Sequence, residues 1–263
     1  MNTLNPAQAT WQDHILQIDD TKAMVRLDMS RPLSTSTASV SLDPTPPEFG
    51  ELYASLERQV AGIGDITLIA GEALEAERPY VLGITSAVQG EGKTTVALHL
   101  ALTVARDTFK RVCLMDLSLG GESVTDRLSI PANGAGLIPA IEETDNRIPT
   151  LQIAGIDNLA IIPAGRAPVH AQKLVRSPRL AQMIASARQA FDVVIVDMPS
   201  TTTGNALPLA RNMDGVIMVA RAGATPSDLV AVAIDNIGRD RVVGLVMNRM
   251  PTNSRWGFQR NRS

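Results

Sequence analysis

The stretch VLGITSAVQGEGKTTVALHLA, residues 81–101, decides the fold. It begins as an apolar, strand-like run, crosses a turn containing Gly90 and Gly92, and continues from Lys93 as a helix-like segment. A strand feeding a glycine-rich turn that opens a helix gathers backbone N–H groups and the positive end of the helix dipole around one concavity, which suits phosphate oxygens. Gly90 and Gly92 admit the backbone angles and the close approach of a ligand, where a Cβ would intrude. The run Ala87, Val88, Gln89, Gly90, Glu91, Gly92, Lys93, Thr94, Thr95 therefore reads as a phosphate-binding loop, with Ala87 where the strict pattern has its first glycine. Lys93 is expected to reach the β- and γ-phosphates and the Thr94 hydroxyl to hold Mg²⁺, so the expected cofactors are ATP and Mg²⁺.

Outward from this loop, apolar strands alternate with amphipathic helices. Strands are expected at 80–86, 111–116, 159–163, 193–197, 215–220 and 242–247, and helices at 93–106, 137–143, 178–190, 205–211 and 226–237. Strands this apolar are covered on both faces. The expected fold is α/β: a P-loop NTPase with a mostly parallel β-sheet sandwiched by helices. Two acids end such strands, Asp116 in RVCLMD and Asp197 in FDVVIVD. Ligands of open α/β sheets sit beyond the carboxyl ends of the strands, so both acids are expected to converge on the loop. Asp197 reads as the acid that holds Mg²⁺ through water, and Asp116 as a second metal group or a proton acceptor. Lys93 and Asp116 are the candidate catalytic residues, and Thr94, Asp116 and Asp197 the candidate metal residues.

Composition bounds the alternatives. The 263 residues are 44% hydrophobic, enough for a sizeable core, and no apolar run reaches the ~18 residues of a membrane span. A net charge of −3 with 3% aromatics speaks against nucleic acid as a partner. The single Cys113 cannot form an internal disulfide, and residues 1–20 lack the pattern of a secretory signal; both point to a cytoplasmic protein. His14, His99 and His170 are scattered without zinc spacing, and no G-x-S-x-G elbow occurs. The methionines at 198, 213, 218, 247 and 250 read as core filler.

Three regions are expected. Residues 1–47 form a flexible N-terminal extension and linker rich in Ser, Thr and Pro, in which Trp11, Ile15, Leu16 and Val25 either form a short docking helix or stay disordered. Residues 48–248 form the nucleotide domain, opening with an amphipathic helix over 48–63. Residues 249–263 are a basic tail with Arg249, Arg255, Arg260 and Arg262, interleaved by Trp256 and Phe258, suited to an anionic membrane surface, an acidic partner or plain solvent.

These motifs resemble the bacterial tyrosine kinases, P-loop ATPases paired with polysaccharide co-polymerases in capsule and exopolysaccharide export. GITSAVQGEGKTTVALHLA is similar to the family's Walker A segment, CLMDLSLGG lies where its A′ motif falls, and residues 159–200 resemble its signature running into Walker B. DGVIMVARAGATPSDL, residues 214–229, is similar to the strand and turn that follow, and EFGELYASLERQV to the subunit-contact helix of ring-forming members. The resemblance implies an ATPase or tyrosine-kinase-like activity, a separate membrane co-polymerase as partner, self-association, and a place at the inner face of the plasma membrane. It also implies a position near the adenine for Asn248. The departures are specific. Ser118 replaces the second A′ aspartate, removing one negative charge near the metal. Residues 248–263 hold no tyrosine, and the sequence has two, Tyr53 and Tyr80, the latter expected to pack on the sheet. In the contact helix Glu51 is followed by Ala54, Glu57 and Arg58 in place of the family's spaced arginines. A nucleotide-gated interaction module without kinase activity is the second reading. A MinD/ParA-type positioning ATPase is the third; that branch carries a signature lysine where this chain has Val88.

Overall fold

The computed structural model describes residues 79–107, 109–120, 123–128, 134, 136–142, 150–153 and 156–249, and the backbone of three short strands nearer the N-terminus. The helix expected over 48–63, with Tyr53, and the tail beyond Arg249 lie outside the described residues. Strands β1 (Ile15–Ile18), β2 (Val25–Asp28) and β3 (Ser39–Leu42) precede the main body. There follow β4 (Tyr80–Ser86), α1 (Lys93–Asp107), β5 (Val112–Asp116), α2 (Val124–Arg127), α3 (Leu137–Glu142), β6 (Leu151–Ile153) and β7 (Ile156–Ile162). The chain continues through α4 (Ala171–Leu174), α5 (Pro178–Ala190), β8 (Val193–Asp197), α6 (Ala206–Ala210), β9 (Gly215–Arg221), α7 (Ser227–Ile237) and β10 (Val242–Asn248).

The main sheet has the order β1-β10-β9-β4-β8-β5-β7-β6. Six strands, β10 to β7, run parallel, β1 extends them in parallel beside β10, and β6 closes the other edge antiparallel to β7. Where a docking helix or disorder was expected at Ile15 and Leu16, the backbone is extended and pairs with Leu245 and Val246. β4, β5 and β8 are buried almost end to end, as strands covered on both faces must be.

Successive residues of each strand enter opposite layers. Cys113, Met115, Val194, Val196, Val216 and Met218 pack under α3, α5, α6 and α7. Leu82, Ile84, Val112, Leu114, Ile195 and Ile217 pack against α1 and α2. In α1, Val96, Leu100, Ala101 and Val104 are fully enclosed, and each buried Val or Leu contributes about 2 kcal/mol at most. Asn158 donates to the carbonyls of Ala105 and Lys110, satisfying the end of α1. Met198, Met213 and Met218 are core residues as expected, and His99 is packed on α1. Among the described residues no helix is long and apolar enough to cross a membrane.

The opposite face depends on one close approach. Leu137 and Ile138, at the start of α3, donate to the carbonyls of Pro163 and Ala164 beyond β7. A Cβ on Gly136 would overlap the backbone of Ala164 and Gly165, whereas one on Gly244 would meet nothing within 4 Å. Gly136→Ala is therefore expected to cost about 3 kcal/mol, read as a lowered denaturant midpoint, and Gly244→Ala about 1 or less.

Candidate functional site

β4 is the pivot of the sheet. Its carboxyl end runs through Ala87–Gly92 into α1, with Gly90 at φ 84° and Gly92 at φ 94°, backbone that glycine adopts without strain. The loop is pinned from three sides. Ala87 accepts hydrogen bonds from the Thr202 N–H (3.3 Å) and the Thr201 hydroxyl (3.1 Å), and the Val88 carbonyl from the Ser86 hydroxyl (2.5 Å). Glu91, 1% exposed, turns its carboxylate inward. Its Oε2 accepts the Val88 N–H at 2.8 Å, and its Oε1 accepts the Arg221 N–H at 3.3 Å and the Thr225 hydroxyl. Its carbonyl accepts Nδ2 of Asn248 at 2.9 Å. Glu91 is thus the strut that ties the loop to the β9–α7 turn and the end of β10, and its side chain does not face the cleft.

An open cleft of about 210 Å³ lies in front of the loop, lined by Gln89, Gly90, Gly92, Lys93 and Thr94 and by residues from neighbouring strand ends. That is below the ~300 Å³ of sites that enclose a whole organic ligand, and its scale suits the phosphate end of one. Ala87, Val88, Glu91, Thr95 and Asn248 are not on its walls. Thr95 is buried on α1, in one row with His99 and Thr103. Asn248 is fully buried, its Oδ1 taking the Arg249 N–H at 2.8 Å.

Behind Thr94 sit the two acids. Asp116 and Asp197 are register partners at the ends of β5 and β8, and both are 0% exposed. Oδ1 of Asp116 accepts the Ser118 N–H (3.0 Å) and Oδ2 the Val124 N–H (2.8 Å), so this acid ties the loop after β5 to α2. It is not on the cleft wall. Burial pushes its pKa up, opposed by those hydrogen bonds. Oδ2 of Asp197 accepts the Thr94 hydroxyl at 2.6 Å, while Oδ1 has no partner. Burial, then the charge of Asp116, raises the Asp197 pKa to about 8. Lys93 is pulled down by burial, with Asp197 and Glu91 opposing. An orphaned buried carboxylate oxygen beside a threonine hydroxyl is the donor chemistry that a hard divalent cation completes. The residues present therefore fit Mg²⁺. Among the described residues no three His, Cys, Asp or Glu side chains form a metal cluster, so phosphate oxygens and water would supply the remaining ligands.

Sequence reasoning missed several wall residues: Leu119 and Gly120 at positive φ, Arg127, Pro199, Ser200 and Thr203. Arg249, read with the tail, also stands on the wall, in left-handed backbone at φ 56° just past β10. No local pattern marks these positions; only the convergence of strand ends could have.

With this geometry the class is defined, a P-loop NTPase. The ParA family model, described as NUBPL iron-transfer P-loop NTPase, matches residues 78–253, and the chain belongs to that family. Val88, where the MinD/ParA branch has lysine, does not remove it from this wider group. Within it the likeness is to bacterial tyrosine kinases. The succinoglycan biosynthesis transport protein ExoP of Rhizobium meliloti (strain 1021) is 29% identical over 71% of this chain and 24% of its own length. The tyrosine-protein kinase CpsD of Streptococcus agalactiae serotype III (strain NEM316) is 25% identical over 65% of this chain and 74% of its own. The chain thus matches about a quarter of ExoP. The VpsO kinase domain superposes with a TM-score of 0.61 at 25% identity, covering 77% of this chain and 99% of that one. The chimerical protein CapA2B2 gives 0.64 at 21%, over 80% and 86%, a likeness of fold.

Two outcomes follow for the unliganded protein. A carboxyl whose folded pKa lies above its unfolded value stabilises fully below the unfolded pKa, and that stability is lost as pH rises through the folded one. Wild type is therefore expected to lose midpoint stability between pH 4 and 8, and Asp197→Asn to flatten that slope in denaturant titrations. Glu91→Gln puts an amide N–H among three donors and is expected to cost about 2 kcal/mol in the same assay.

Proposed function

We propose that this chain is an ATP-binding, phosphoryl-transfer module of an exopolysaccharide or capsule system, tyrosine-kinase-like, that acts with a membrane co-polymerase supplied as a separate chain. The carrying observation is the Thr94–Asp197 hydrogen bond at the mouth of the loop, with one buried Asp197 oxygen left without a partner. The kinase names of the relatives support the chemistry and the succinoglycan name supports the setting. The loop amides of Gln89–Lys93 and the Lys93 ammonium would hold the phosphates, and Thr94 and Asp197 would hold Mg²⁺, Asp197 through water. Bound there, the cation would offset charge on the β- and γ-phosphates. Asp116 would keep the loop after β5 and α2 in place; service as a base would need it to release a backbone donor first. Self-association, docking through residues 1–30, and membrane contact through the basic tail at the inner face of the plasma membrane belong to the same reading.

A second reading, a nucleotide-gated interaction module, is favoured by the placement of Tyr80. It starts β4, about 20 Å of strand from the loop at that strand's other end. Burial and the charge of Asp214 push its pKa to about 12. Its hydroxyl packs where a Cβ on Gly215 would fall. Tyr80 is therefore no acceptor for its own site, and an acceptor would be Tyr53 or another protein.

The test is released ADP and intact mass after incubation with Mg-ATP, beside Lys93→Ala. ADP release by wild type and at least a hundredfold less by Lys93→Ala is expected, since the ammonium supports charge on the transferring group, an effect of roughly 3 kcal/mol or more. Phosphate on Tyr53, or on a trapped partner, would mark the kinase. ADP without any phosphoprotein would mark the gated module. No ADP and no nucleotide binding would end both readings.

A further inference from the structure

A trans peptide points its C=O and its N–H in opposite directions, so whatever holds a carbonyl also aims the N–H that follows it. The described residues contain no cis peptide, and three carbonyls of the phosphate loop are held. The Ala87 carbonyl takes the Thr201 hydroxyl and the Thr202 N–H, and the following N–H, of Val88, runs the other way to Oε2 of Glu91. The Val88 carbonyl takes the Ser86 hydroxyl, and the following N–H belongs to Gln89, on the cleft wall. The Glu91 carbonyl takes Nδ2 of Asn248 at 2.9 Å, and the following N–H belongs to Gly92, also on the wall.

Asn248 is built to hold that carbonyl. It is 0% exposed at the end of β10, behind the loop and off the cleft wall. Its main-chain carbonyl takes the Ala222 N–H at 2.8 Å, which fixes the residue against the turn after β9. Both ends of its side-chain amide are engaged, Nδ2 on Glu91 and Oδ1 on the Arg249 N–H at 2.8 Å. The peptide it grips is one that needs gripping. Gly92 sits at φ 94°, where glycine turns with little resistance, so its own backbone does not decide which way its N–H faces. The Gly92 carbonyl opens the hydrogen-bond ladder of α1 by taking the Val96 N–H at 3.0 Å. An N–H at that place has no partner within the helix, and aimed outward it suits a phosphate oxygen.

We propose that Asn248 is a positioning residue for phosphate binding: it touches no ligand, and by holding the Glu91 carbonyl it aims the Gly92 N–H into the cleft. This rests on the nucleotide reading above. On this assignment Asn248 acts on the phosphate end of any ligand and contributes nothing to recognition of a base, unlike the place beside the adenine that the family resemblance implies.

The experiment is calorimetric titration of the full chain with Mg-pyrophosphate, which has no base, and with Mg-ADP. It compares wild type, Asn248→Ala and Asn248→Asp, each well below its own melting temperature, so that affinity is read on folded protein. Asn248→Ala is expected to weaken both ligands alike, roughly three- to tenfold, the scale of one hydrogen bond. Asn248→Asp keeps an acceptor for the Arg249 N–H and deletes the donor, so it is expected to weaken both at least as much. Weakened ADP with unchanged pyrophosphate would mean a contact to the base and would overturn the proposal. Unchanged affinity for both, whatever the melting temperature, would overturn it too and leave the nucleotide reading intact. A measurement on wild type stands beside the variants in case they fail to fold. Glu91–Gly92 is the one Glu–Gly pair in the sequence, so glutamate labelled at its carbonyl carbon and glycine labelled at nitrogen isolate that peptide's N–H by NMR. Its proton signal is expected to move downfield as Mg-pyrophosphate is added, and a signal that stays put while pyrophosphate binds would overturn the proposal. A wild type that binds neither ligand would overturn the nucleotide reading and this inference with it.

Discussion

Two carboxylates buried side by side, at one register of neighbouring strands, are the constraint around which this site is built. Neither Asp116 nor Asp197 reaches water, and ionised together they repel. The structure resolves the conflict unequally. Asp116 is supplied with backbone donors on both oxygens, which holds it as an anchor for the loop after β5. Asp197 receives one hydroxyl and keeps one oxygen bare, so the unsatisfied half of the pair is aimed at the loop. An unpaired buried oxygen costs free energy, of the order of 1–3 kcal/mol, and such costs persist where a ligand can remove them.

The sheet order explains why that need is met from several directions. β4 delivers the loop at the centre, β8 brings Asp197 beside it, and β5, one strand further, brings Asp116. β9 and β10 lie on the other side and contribute the turn and the asparagine that hold Glu91. The cleft is therefore assembled from segments far apart in sequence on one carboxyl edge, as doubly wound sheets build their sites.

What the sequence made legible is what local chemistry determines. All six central strands stand where apolar runs between turn residues place them, and the helix at 178–190 begins at its Ser177 cap with Pro178 behind it. The loop was readable because strand, glycines and helix follow one another without a gap. Side-chain direction was not. Glu91 has the position of a loop ligand, yet its carboxylate is claimed by Val88, Arg221 and Thr225, and the last two arrive from β9 and the turn after it. Arg127 sits in one helical turn too short to show periodicity, and Arg249 looked like the first residue of a basic tail until β10 set it on the wall. The strand at 15–18 depends on a partner more than 200 residues away, which no local window holds.

One buried atom has a use outside nucleotide chemistry. Cys113 is the sequence's single thiol, 0% exposed within β5, with burial raising its pKa to about 12. A thiol reagent needs both access and thiolate, and the closed sheet withholds both. The rate at which Cys113 is alkylated is thus a clock for the opening of the sheet at its middle, one residue type in one place, with no label to introduce. Slowing of that clock by a small molecule would register its binding without any knowledge of the reaction that follows.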